Sequence, residues 1–252
     1  MSVTPNPLVV VSGPTAAGKT TIAAALAQLA DLEQHTAAPA EPLRDWLSVD
    51  AERHRPRRSD VDRLADLTLL RAVSTSGRPR VAESAALPML LPVDNAALLV
   101  RVTASPLVRG RRLHAAAPDL TFAEARVVVA RRDFATCAAL RTAWGVDLAE
   151  RSAARWRADL VVGCPHEDEC PDEAGCTENV TNLIAAAFGV YENYLAPTPA
   201  VGSVGLFGHL LKTYGGYVRR CTPLLTGLAG DYDVRRWRDR LMVELEKRAG
   251  LL

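Results

Sequence analysis

Residues 7–29 read PLVVVSGPTAAGKTTIAAALAQL. Pro7 to Val11 form a short apolar, β-branched run, the composition of a buried strand. A Gly-rich turn follows, and an Ala/Leu helix is expected from 19 to about 30. Gly13 to Thr20 match G-x-x-x-x-G-K-[ST]. Strand before and helix after is the context in which that pattern makes a phosphate-cradling loop. Glycine lets the backbone curl so that successive N–H groups converge on phosphate oxygens. The helix N-terminus adds positive potential. The expected phosphate-binding set is Gly13, Thr15, Ala16, Ala17, Gly18, Lys19, Thr20 and Thr21. Lys19 reaches the β/γ-phosphates of a nucleoside triphosphate, and the Thr20 hydroxyl holds Mg²⁺.

Downstream, β-like and helical segments alternate. Strands are expected at 46–49, 79–82, 96–104 and 158–162, with 31–42 read as a loop. A helix over 60–76 places Val61, Leu64, Leu67 and Val73 near one face. Ser105 is an N-cap with Pro106 at the first helical position. Thr121 and Glu124 form a capping box, opening a long helix toward Trp144. A further helix covers about 178–195, and another 231–250. The alternation means an α/β fold with a parallel sheet flanked by helices. Residues 1–196 are read as one P-loop domain with a Cys-rich insert at 163–177, and 197–252 as a helical C-terminal extension.

The chain has 252 residues, enough for a sizeable core. Thirty basic residues oppose 29 acidic ones, for a net charge of +1. That balance argues against nucleic-acid or membrane-surface partners. Only three residues are lysines, and one of them is Lys19. No apolar run reaches the roughly 18 residues of a membrane span, and the first residues lack a basic signal-peptide region. A cytoplasmic location is the expectation, with a small-molecule partner and an open oligomeric state, a homodimer included. No N-K-x-D guanine signature occurs. For a chain of this length a small kinase using ATP and Mg²⁺ is the expected class.

VVVSGPTAAGKTTIAAALA resembles the opening of the nucleoside monophosphate kinase group. ASPLVRGRRL (104–113), LTFAEA (120–125), ARRDF (130–134), WGVDL (144–148) and ADLVV (158–162) resemble, in order and spacing, the cytidylate-kinase-like family. That resemblance spans about 1–195 and is thin over 31–95. It implies transfer of the ATP γ-phosphoryl to a cytidine monophosphate. It implies that Arg109, Arg112 and Arg132 close over the phosphates, where guanidinium forks suit phosphoryl oxygens. The chain departs from the family at Val81-Ala82-Glu83-Ser84, where a Gly-Arg pair usually grips the acceptor. It departs again at Thr136 and Ala139, which replace an acid and an Arg.

A second resemblance, to antibiotic-type hydroxyl kinases such as chloramphenicol phosphotransferase, rests on Trp46 to Asp50. There Asp50 would serve as the base for an alcohol acceptor, or else cap the next turn or sit on Mg²⁺. Glu83 is a rival carboxylate, for Mg²⁺ or for the base. The basic run 53–58 could grip an acceptor phosphate or simply be a solvated loop. A nucleotide-binding protein without turnover is a third alternative. Cys164, His166, Cys170 and Cys176 are spaced C-x-H-x₃-C-x₅-C and could wrap one structural Zn²⁺; the alternative is an acidic loop with reduced thiols.

Overall fold

A computed structural model of the chain describes residues 7–36, 59–91, 97–146, 158–163, 172–195, 209–210, 213 and 215–221. Six strands form one sheet in the order β2-β3-β1-β4-β5-β6. They are β1 (Leu8–Ser12), β2 (Glu33–Thr36), β3 (Arg80–Glu83), β4 (Ala97–Thr103), β5 (Leu160–Gly163) and β6 (Val218–Cys221). The first five run parallel, and β6 closes one edge antiparallel to β5. The helices are α1 (Lys19–Leu29), α2 (Ser59–Thr75), α3 (Leu87–Leu90), α4 (Pro106–Ala116), α5 (Phe122–Trp144) and α6 (Glu173–Leu195). The fold is the expected α/β sheet of P-loop type.

All five residues of β1 are buried. A parallel sheet covered on both faces needs apolar side chains on both sides of its strands, which is why Leu8–Val11 reads as a continuous run. Val9 and Val11 face a core with Ile22, Leu26, Leu98, Val100, Leu183, Ile184 and Phe188. Leu8 and Val10 face the opposite core with Leu69, Val73, Ala82 and Leu87. A third cluster lies inside the α4–α5 hairpin: Leu113, Leu120, Ala125, Val128 and Val129. Both expected caps form. The Ser105 side chain accepts from Val108 N–H, and Thr121 and Glu124 make the reciprocal capping box.

Several expectations need correcting. The 31–42 loop begins with a strand, β2. It is an edge strand, mostly exposed, so it carries no apolar period for the eye to catch. Helix α2 has the expected position but a different phase. Leu69 and Val73 are buried, whereas Leu64 and Leu67 are exposed. Leu69 and Val73 join the core of Leu8, Val10, Ala82 and Leu87, which sets the inward face, and Asp66 accepts a 2.8 Å hydrogen bond from Trp144 Nε1. Arg63 lies over the same indole, 5.0 Å from its centroid. Helix α6 starts five residues earlier than expected, at Glu173. The extension after 197, expected to be helical, supplies a strand to the sheet. The strand expected at 46–49 and the helix at 231–250 lie outside the described residues. Among the described residues no helix is long and apolar enough to cross a membrane.

Candidate active site

The site lies at the carboxyl ends of β1, β3 and β4, where ligands bind in open α/β sheets. At Gly13 φ is 147°, and a Cβ there would sit 2.2 Å from the Val102 carbonyl oxygen. Glycine is thus required both by conformation and by the close approach of β4. Gly18, at φ 97°, is the N-cap of α1, and no side chain caps that helix. The first N–H groups of α1 therefore have neither an intrahelical carbonyl nor a capping oxygen, an arrangement suited to an anion. Thr20 and Thr21 are exposed on this first turn.

Lys19 points back into the loop, its Nζ donating to Pro14 O at 2.9 Å. Burial lowers its pKa. The Glu83 and Asp133 carboxylates act against that shift, and the Arg132 and Arg109 guanidinium groups add to it. The five charged groups thus share one electrostatic neighbourhood, with three cations against two carboxylates. Glu83 reaches it because β3 pairs in register with β1, Val11 against Glu83.

The hairpin of α4 and α5 grips the loop backbone. Arg109, 9% exposed, donates through Nη1 to Thr15 O at 3.2 Å and is ion-paired with Asp133. Asp133 Oδ1 accepts from Thr15 N–H at 2.8 Å. Arg112 donates to Ala17 O at 2.8 Å, and its Nε lies 3.6 Å from Glu173. The sequence resemblance set Arg109, Arg112 and Arg132 over the phosphates. The structure brings two of them to the loop, Arg109 and Arg112, each bonded to one of its carbonyls, and Arg132 acts electrostatically on Lys19 from α5. Arg109 Nε is buried and has no hydrogen-bond partner among the described residues. Exposed Thr20 and the Glu83 carboxylate are the hard oxygen donors that fit Mg²⁺.

Asp133 was not among the residues singled out from the sequence. It sits inside ARRDF beside Arg132, but nothing in a helical Arg-Arg-Asp run says which residue turns toward a loop 118 positions away. Asp50 and the basic run 53–58 lie outside the described residues, as do Cys164, His166 and Cys170. Cys176 is buried in α6, with its Sγ 3.8 Å from Tyr217 Oη. Among the described residues no group of three His, Cys, Asp or Glu side chains converges as a metal site; of the four expected zinc ligands only Cys176 lies among them.

No family model matches the chain, and no curated protein matches it in sequence. Among solved structures, an uncharacterized protein from Eubacterium ventriosum matches with a TM-score of 0.53 at 9% identity, over 73% of this chain and 99% of that one. Shikimate kinase from Bacteroides thetaiotaomicron matches with a TM-score of 0.40 at 18% identity, over 71% of this chain and 98% of that one. The first likeness is one of fold alone, and the second is too low to carry an argument. Neither adds to the cytidylate-kinase-like resemblance, which rests on the sequence motifs.

Proposed function

We propose that the chain is a P-loop phosphotransferase that moves the γ-phosphoryl of ATP to a nucleoside monophosphate or a nucleotide-like metabolite. The observation that carries this reading is the uncapped N-terminus of α1 behind the Gly13 turn, with Lys19 folded over the loop and Arg109 and Arg112 bonded to its carbonyls. Bound Mg·ATP would supply the transferable phosphoryl group. The N–H groups at the start of α1 orient its phosphates, and Lys19 neutralises the β/γ oxygens. Thr20 and Glu83 hold the metal side. The arginines spread positive charge over the equatorial oxygens as transfer proceeds. Such catalysis is positioning plus preorganised electrostatics.

A hydroxyl acceptor is the second reading, and Glu83 favours it. An attacking alcohol must lose its proton, and Glu83 is a carboxylate at the strand end beside Lys19. A phosphate acceptor is already an anion and needs no base. Val81 to Ser84 also lack the arginine that would grip such an acceptor.

The test is ADP release from Mg·ATP with pyrimidine and purine monophosphates as acceptors, set beside free nucleosides and antibiotic-type alcohols. Turnover on a monophosphate supports the first reading; turnover on alcohols alone replaces it with the second. Lys19→Ala should lower transfer by at least about 100-fold on either acceptor. Activity retained in that variant would sink the P-loop mechanism. Tight nucleotide binding with no turnover on any acceptor would leave a non-catalytic binding protein.

A further inference from the structure

Ala16 lies at φ 57°, in the left-handed region that costs a residue with a Cβ about 1–2 kcal/mol. Its neighbours on both sides are held from outside the loop. Before it, Thr15 is gripped at both ends: its N–H by Asp133 and its carbonyl by Arg109, with Asp133 and Arg109 paired to each other. After it, the Ala17 carbonyl is gripped by Arg112. The Ala16 side chain packs against the apolar interior of the α4–α5 hairpin. Every one of these contacts comes from α4 or α5, and none from the sheet that carries the loop.

We infer that Asp133 is a positioning residue for the phosphoryl-donor cradle. Through Thr15, and with Arg109, it holds the loop in the strained form that opens its N–H groups to phosphate. This deepens the reading of the site as a nucleotide phosphate cradle and rests on it. The contact is a charge-assisted hydrogen bond in a partly buried place, which is stronger than a neutral one. Its loss lets Ala16 relax to an ordinary conformation, and the cradle closes on itself. Asp133 touches no reacting atom in this account; it acts on the loop alone.

Mg·ADP is the probe. Its dissociation constant is measured by calorimetry, and amide hydrogen exchange of residues 13–18 is followed in the nucleotide-free protein. Asp133→Ala should weaken Mg·ADP binding by about tenfold or more and speed exchange in the loop, while the rest of the chain keeps its protection. Asp133→Asn retains an oxygen for the Thr15 N–H and should recover part of the binding; it also serves if the alanine variant fails to fold. In the Asp133→Ala background, Ala16→Gly removes the left-handed penalty and should restore loop affinity toward the parent value. A merely structural acid would not be rescued by a glycine three positions into the P-loop. Unchanged affinity and unchanged loop exchange in Asp133→Ala would overturn the inference. So would a loss that Ala16→Gly leaves untouched. If the parent protein binds no Mg·ADP, the phosphotransferase reading fails, whereas loop exchange in the free protein still decides whether Asp133 holds the loop.

Discussion

At Gly13 two demands coincide, a φ of 147° and a β4 carbonyl oxygen standing where a Cβ would be. Relief would require β1 and β4 to separate, and those strands pair over five residues in the middle of the sheet. Gly13→Ala should therefore destabilise the protein by at least about 2 kcal/mol. Thermal unfolding of the purified variant checks this, and a melting temperature equal to the parent's would contradict the close approach. Lys19 shows the opposite relation between sequence and environment. Its position in the motif announces its role, but its depressed pKa comes from burial, reinforced by Arg132 and Arg109 and opposed by Glu83 and Asp133. Residue identity was legible; the company each residue keeps was not. Asp133 is the sharpest case, since an Asp in a run of helical charges is most often solvated.

At the scale of elements, local signals that act within a few residues were the reliable ones. Ser105 and Thr121 announce the starts of α4 and α5 because a cap is satisfied by N–H groups two or three residues on. At the start of α5 the Thr121 hydroxyl accepts from the Glu124 N–H, and the Glu124 carboxylate accepts from the Thr121 N–H. Thr121→Ala should cost about 1 kcal/mol, seen as a fall of a few degrees in melting temperature, with Thr121→Ser close to the parent. An alanine variant that melts with the parent would show that the hairpin's apolar interior alone sets the start of α5. Edge strand β2 and the phase of α2 escaped the reading for a common reason. The pairing partner of β2 is β3, more than forty residues away, and the buried face of α2 is the one that shares a core with Leu8, Val10, Ala82 and Leu87 of other elements. Neither leaves a periodic trace in its own segment.

Across the whole molecule, the sheet separates two cores, and α6 joins α1 over the one that backs the P-loop strand. Phe188, 2% exposed, fills that core with Leu183 and Ile184. Phe188→Ala should cost about 3–5 kcal/mol, a large part of a typical stability of 5–15 kcal/mol. Denaturant unfolding measures it, and a cost below about 1 kcal/mol would mean that α6 is not integral to this core. The cradle for phosphate, the strand behind it and the helix before it were readable from residues 7–29, because each depends on contacts within one short stretch and on backbone geometry that only glycine permits. The grip of Asp133, Arg109 and Arg112 on that cradle, and the arrival of Glu83 beside Lys19, were decided by tertiary structure. They join residues about 60 to 120 positions apart, and only the pairing of parallel strands and the packing of α4 on α5 bring such groups within hydrogen-bond or Coulomb range.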